Sequence, residues 1–256
     1  NKLIAYQGAP GAYSYIATKH LFPNAALTGF SLFEEVFESL KNGTAQTAVV
    51  PIENTLIGSI YEVYDLLFEY DYKIKDEVSL RIDHNLLACH PYDLKNITRV
   101  YSHRKALDQC RTFFKKHPWM KPVVYEDTAA AAEMVAQKKD PTIAAIASQQ
   151  AAKLYGLTVL KTRIQLNPHN YTRFVVIGKT NGVQNADKTS LVFSAAHEPG
   201  SLIKCMKPFD EAHLNLTKIE SRPLIGSPWK YLFYLDFEHP QTHGSVETVL
   251  EKIKPT

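Results

Sequence analysis

Residues 142–156 read TIAAIASQQAAKLYG. The apolar run TIAAIA predicts a strand. Ser148 then offers a side-chain oxygen to the unpaired amides that open a helix, QQAAKLY continues that helix, and Gly156 ends it, because glycine enters a left-handed C-cap without a Cβ penalty. A strand that runs through a cap directly into a helix is half of an α/β unit, so the stretch predicts a sheet with helices on its faces.

The same order recurs on the N-terminal side. KLIAY is a strand candidate, QGAPGAYS a loop and YSYIATKHLF a helix. SLFEEVFESLKNG carries a capping box at Ser31 and Glu34, apolar residues at Leu32, Val36, Phe37 and Leu40, and a stop at Gly43. TAVVP gives a strand, IENTLIG a loop, and SIYEVYDLLFEY a helix with its apolar face on Ile60, Val63, Leu67 and Tyr70. A second set of similar units starts near VSLRIDHNLLAC, runs through VYSHRKALDQCRTFF, DTAAAAEMVAQ and TIAAIASQQAAKLYG, and is closed by RFVVIG. Two α/β lobes meeting at a cleft is the economical arrangement, and such clefts are preferred ligand sites. The expected bounds are about 1–78 with 156–180 for the first lobe and about 79–155 for the second.

The polar GKTNGVQNADK marks a linker, placed at 181–187, after which the pattern changes. TSLVFSAA, EPGSLIKCMKPFDEA, LNLTKIESRP, KYLFYLDFE and GSVETVLEKIK read strand, helix, strand, strand, helix. This is a ferredoxin-like βαββαβ unit whose last strand is missing before KPT, which would leave a sheet edge open.

A chain of 256 residues with 45% hydrophobic content can fill sizeable cores, and its net charge of +3 is interspersed rather than gathered into a basic stripe. Small partners are expected, and no nucleic acid. Nothing resembles a membrane span or a signal peptide, so the expected location is cytoplasmic. Cys89, Cys110 and Cys205 form no CxxC pair and read as reduced.

Several turns place small or hydroxylic residues where a helix exposes unpaired N–H groups: Ser14 in GAPGAYS, Glu53, Asn54 and Thr55 in ENTLIGS, Ser102 in YSHRKAL. Such termini attract anions, and they are equally what ordinary capping uses. Thr172 and Arg173, at the mouth of the RFVVIG strand, add a neutral proton donor and a permanent cation. Gly8 and Gly11 fit neither GxGxxG nor a P-loop, no GxSxG elbow occurs, and HNLLACH and HPQTH match no metal scheme. The site inferred is one of hydrogen-bond donors and fixed charge, with Glu53 as a nearby carboxylate. It suits an anion that carries its own driving force and needs orientation and a hydrogen bond to a departing oxygen.

GAPGAYS, VPIENTLIGSI, YSHRKALDQC, DTAAAAEMVA, AAIASQQAAKLYGL and NYTRF occur in the order and approximate spacing of the prephenate dehydratases, and EPGSLIKCM and LNLTKIESRP resemble the ACT regulatory domain that follows them. The resemblance implies an α/β fold with a two-lobed, periplasmic-binding-protein-like catalytic region over 1–180 and an α+β, ferredoxin-like ACT domain over 188–256. It implies decarboxylative dehydration of prephenate to phenylpyruvate with no cofactor and no metal. Thr172 matches the residue that serves the departing ring hydroxyl, and Arg173 looks like a cation for a substrate carboxylate or, alternatively, a salt bridge that supports the loop. Ser102 and Gln109 match donors of the SHxxxLxQ element, Glu53 and Asn54 the ENS element, and Ser14 and Thr55 substrate-side loops where capping is the competing role. The resemblance also implies L-phenylalanine as inhibitor, bound between ACT domains of a homodimer or homotetramer. Its carboxylate would meet Gly200, Ser201 and Leu202, its ammonium the backbone near Asn215 or Leu216, with Glu220, Ser221 and Arg222 of ESRP close by or paired in a salt bridge of their own. Ala12, Thr55 and Ser201 depart from the family's usual residues. Arogenate dehydratase is the alternative within the same motifs, and a non-catalytic amino-acid sensor the alternative of another class.

Overall fold

The computed structural model describes residues 3–179, 186–224, 226–227, 229–240 and 244–253. The chain divides into two compact units that part between residues 180 and 181. Residues 181–185 of the expected linker lie outside the described residues.

The first unit opens with β1 (Leu3–Gln7), α1 (Tyr13–Leu21), β2 (Ala26–Phe30), α2 (Phe33–Lys41), β3 (Thr47–Asn54), the two-residue β4 (Gly58–Ser59), α3 (Tyr61–Tyr70) and β5 (Lys73–Arg81). It continues with β6 (Asn85–Ala88), β7 (Arg99–Ser102), α4 (Arg104–Gln109), α5 (Arg111–Lys116), β8 (Lys121–Val124), α6 (Thr128–Lys138), β9 (Ile143–Ala147), α7 (Gln149–Tyr155) and β10 (Thr158–Lys161), and returns as β11 (Tyr171–Gly178). The strands make two sheets, β2-β1-β3-β11-β5 with β4 on β3, and β10-β6-β9-β7-β8. The chain therefore passes between lobes twice, once between β5 and β6 and once between β10 and β11.

These crossings correct the expected bounds. β5 stays with the first lobe because Val78 and Leu80 pack with Ile4, Val49, Phe174 and Val176. β10 stays with the second because Thr158 and Val159 pair with Ala88 and Leu87 of β6. The capping box of α2 also sits one residue later than expected: Leu32 N–H donates to the Glu35 carboxylate at 3.0 Å.

β3 lies between β1 and β11, and Pro51 in its middle cannot donate to the ladder. The register shifts there, Arg173 pairing with Glu53 but Phe174 with Pro51, which is a bulge on β3. Along β11 the side chains alternate. Phe174 and Val176 pack against Ala17 of α1, so Thr172 shares the α1 face and Arg173 takes the opposite one.

The second unit contains β12 (Lys188–Ser194), α8 (Ser201–Glu211), β13 (Asn215–Pro223), β14 (Tyr231–Glu238) and α9 (Gly244–Ile253). Its described strands form an antiparallel sheet in the order β12-β14-β13. Phe209, Leu235, Phe237, Val246 and Val249 make its core, between one face of the sheet and the two helices. Residues 254–256, the KPT before which the expected βαββαβ pattern stops, lie outside the described residues. No described helix is long and apolar enough to cross a membrane, and the three cysteines are free.

Candidate active site

Asn54 and Thr172 end the paired edges of β3 and β11 and lie directly opposite one another. Both are 8% exposed. The Asn54 amide oxygen accepts from the backbone N–H groups of Leu56 (2.9 Å) and Ile57 (3.1 Å). A backbone amide only donates, so the Asn54 nitrogen is the end turned toward β11. There its two N–H groups face three acceptors, Thr172 Oγ1 (2.9 Å), the Asn170 side-chain oxygen (2.8 Å) and the Tyr171 carbonyl (3.0 Å), so that one N–H is shared. Thr172 Oγ1 is thus an acceptor in this contact, and its own proton is left for another oxygen.

The network continues across the lobes. Asn170 donates through Nδ2 to Gln109 Oε1 at the end of α4 (3.0 Å), and His84 Nε2 lies 2.6 Å from the same oxygen. Thr172, Asn54 and Asn170 from one side and Gln109 from the other are therefore brought together at the crossings. Neither Asn170 nor His84 stands out in the sequence. An asparagine before a strand reads as a turn residue, and a histidine in HNLLACH reads as packing. Burial holds the His84 pKa below its ordinary value.

The other candidates are not gathered in this way. Ser102 ends β7 rather than opening a helix; it is fully buried, and its hydroxyl donates to the Ile146 carbonyl at 2.7 Å. His103 is the residue that caps α4. The Thr55 hydroxyl donates to the His169 carbonyl (3.0 Å) and accepts from Tyr171 N–H (2.9 Å), which closes the loop before β11 rather than reaching for a ligand. Ser14 is buried in the first turn of α1, where backbone amides lack intrahelical partners. The loop before it is not an anion cradle: Ala9 N–H donates to the Asp127 carboxylate (3.1 Å), Ser148 Oγ to the Gly11 carbonyl (2.9 Å), and Tyr155 OH to the Pro10 carbonyl (2.7 Å). Ala12, the departure from the family pattern, packs into the second lobe's apolar cluster with Ala151 and Ala152.

Arg173 takes up the salt-bridge alternative. Its Nε lies 3.0 Å from Glu53 Oε1 and its Nη1 2.9 Å from Glu77 Oε2, so one guanidinium ties β3, β11 and β5 together on the face away from Thr172. The cation and the hydroxyl do not share a site, and Glu53 goes with the cation. Among the described residues no cluster of three or more His, Cys, Asp or Glu could hold a metal; HPQTH reaches into residues outside them.

Residues 4–182 match the profile of the prephenate dehydratases. The bifunctional chorismate mutase/prephenate dehydratase of Escherichia coli K12 is 37% identical over 98% of this chain and 67% of its own length. An arogenate dehydratase/prephenate dehydratase of Arabidopsis thaliana is 40% identical over 98% and 69%. The chain belongs to the prephenate dehydratase family. The solved prephenate dehydratase of Arthrobacter aurescens in complex with L-Phe superposes with a TM-score of 0.88 at 28% identity, covering 98% of this chain and 85% of that one. Prephenate dehydratases are lyases that remove CO2 and water from prephenate.

The second unit lies almost wholly beyond residues 4–182, which the family profile matches, and it has a concavity of its own. A cavity of about 380 Å³ is bounded by Ser201 and Leu202 of α8, by Trp229, Tyr231 and Phe233, and by residues 195–199. Gly200, just before α8, has φ 83°, a left-handed conformation that suits glycine. Asn215 and Leu216 are not beside it. They pair with Glu238 and Phe237, whereas Arg222 and Ser194 flank Leu232 at the other end of the sheet, next to the start of α8. Asn215 and Arg222 are seven residue steps apart along the strand, roughly 23 Å. Glu220 pairs with Lys218 at 3.6 Å, and Ser221 points to the opposite face of β13 from Glu220 and Arg222.

Proposed function

We propose that the chain converts prephenate to phenylpyruvate at the Asn54–Thr172 pair, and that its second unit is an ACT domain through which L-phenylalanine inhibits the reaction. The observation that carries the catalytic reading is the polarity of the pair, which leaves the Thr172 proton without an acceptor among the described residues. In prephenate the electron pair of the ring C–carboxylate bond moves into the ring as CO2 departs, and the C–O bond to the ring hydroxyl breaks. The leaving oxygen keeps that bonding pair and takes up a proton, so one CO2 and one water leave per phenylpyruvate. Aromatisation supplies the driving force. A threonine is a weak acid, so the task of Thr172 is a hydrogen bond aimed where negative charge develops, with position doing what acidity cannot. The Gln109 amide and the first-turn amides of α1 at Ser14 supply neutral donors for the carboxylates.

For regulation, the cavity beside Gly200, Ser201 and Leu202 offers helix amides to a carboxylate and Tyr231, Phe233 and Trp229 to a ring. Asn215 and Leu216 are too far away in one chain to meet the same ligand. A second copy with its β13 edge alongside would supply them, which favours a homodimer as the binding form.

The test is an assay of the purified full chain with prephenate, following the absorbance of phenylpyruvate in alkali, beside an assay of phenylalanine release from arogenate. A larger kcat/KM for prephenate is expected. A preference for arogenate would make the chain an arogenate dehydratase, and turnover of neither would return it to the sensor class.

A further inference from the structure

His84 sits in the first crossing between the lobes, 3% exposed, and the chemistry above gives it no task. Its surroundings fix its protonation. Leu56 and Ile57 N–H donate to the Asn54 oxygen, so the Asn54 nitrogen donates to the Asn170 oxygen. The Asn170 nitrogen then donates to the Gln109 oxygen, and that oxygen, 2.6 Å from His84 Nε2, can be met only by a donor. His84 therefore carries its proton on Nε2. Its Nδ1 has no hydrogen-bond partner among the described residues, and burial disfavours a second proton there.

The consequence falls on Gln109. Two donors hold its oxygen, and turning the amide over would set its NH2 group against both. Its Nε2 makes no hydrogen bond within the described residues and is not enclosed. We propose that His84, as the Nε2-protonated imidazole, is a positioning residue that locks the Gln109 side chain with its amide nitrogen free to serve the substrate. This rests on the reading of Gln109 as a substrate donor.

The experiment uses the full chain and four variants: Gln109→Leu, His84→Leu, His84→Gln and the double His84→Leu/Gln109→Leu. Each is assayed for kcat and KM with prephenate and checked by thermal melting. His84→Leu is expected to lower kcat roughly ten-fold or more, as loss of a well-placed donor's support does. His84→Gln, which puts an N–H near the place of Nε2, recovers most of that loss. In the Gln109→Leu background the His84→Leu change costs less than about two-fold, since a positioning residue acts through the group it holds. Imidazole ¹⁵N spectra of the wild type should show protonated Nε2 and bare Nδ1 at about pH 7.5, above the ordinary imidazole range. Wild-type kinetics for His84→Leu beside an impaired Gln109→Leu sinks the proposal alone. So does an equal His84→Leu loss in both backgrounds, a His84→Gln no better than His84→Leu, or an Nδ1-protonated or charged ring in the spectra, which also decides the matter should His84→Leu not fold. Wild-type kinetics for Gln109→Leu removes the reading of Gln109 itself, and the proposal with it.

Discussion

Thr172 and Arg173 are neighbours in sequence and look to opposite faces of β11, so one residue of displacement separates chemistry from support. Arg173 reaches Glu53 and Glu77 with two different nitrogens, a fork that a lysine ammonium cannot reproduce. Arg173→Lys should therefore cost on the order of 1 kcal/mol, a Tm drop of about 2–4 °C, since both carboxylates are partly solvated. KM for prephenate should stay within about two-fold of wild type. A ten-fold rise in KM with an unchanged melt would instead make Arg173 the grip on a substrate carboxylate. His84 gives a pH signature at the same scale. Its folded pKa is depressed, so the unfolded chain takes up a proton near the ordinary value of 6.5 while the folded chain does not. Stability is thus intact above about pH 6.5 and is lost progressively as pH falls below it, until the folded ring also protonates. Melts across that range should show a steeper acid decline in the wild type than in His84→Gln; parallel declines would mean that His84 keeps an ordinary pKa.

Elements meet across the cleft through the caps of two helices. Ser148 accepts from Ala151 N–H to open α7 and donates to the Gly11 carbonyl; Asp127 accepts from Ala130 N–H to open α6 and from Ala9 N–H of the same loop. Gly11 permits the approach: its φ is 91°, and a Cβ there would come within 3.1 Å of Ala151 Cα. Gly11→Ala should lower both Tm and kcat, because the loop must withdraw from α7; an alanine variant that melts and turns over as the wild type does would show that the docking is dispensable. Ser148 and Gly156 were readable in TIAAIASQQAAKLYG because caps are local chemistry. The start of α2 was not, because Glu34 and Glu35 each offer a box and only the backbone path chooses. The lobe to which β5 and β10 belong was not readable either, because a strand's pattern does not name its partner. The opposite faces of Thr172 and Arg173 follow from strand alternation, while the ties from Asn170 to Gln109 and from Gln109 to His84 exist only once two crossings meet.

At the scale of the whole molecule, the reaction is proposed for the first unit and amino-acid binding for the cavity of the second. Inhibition requires that L-phenylalanine bind a less active state more tightly, since equal affinity for both states shifts nothing. A form ending near Lys179 should remain active and insensitive, and calorimetry should find phenylalanine binding to the full chain and not to that form; binding to the short form would misplace the regulatory site. Asn54 links the network that crosses the lobes to the Thr172 hydroxyl, whose proton it leaves free among the described residues. The most direct measurement is kcat of the full-length Thr172→Ala variant with prephenate, its fold verified by melting. A fall of about 10²-fold or more with KM little changed is the result expected for a lost transition-state donor, and a wild-type kcat in the folded variant would contradict the account.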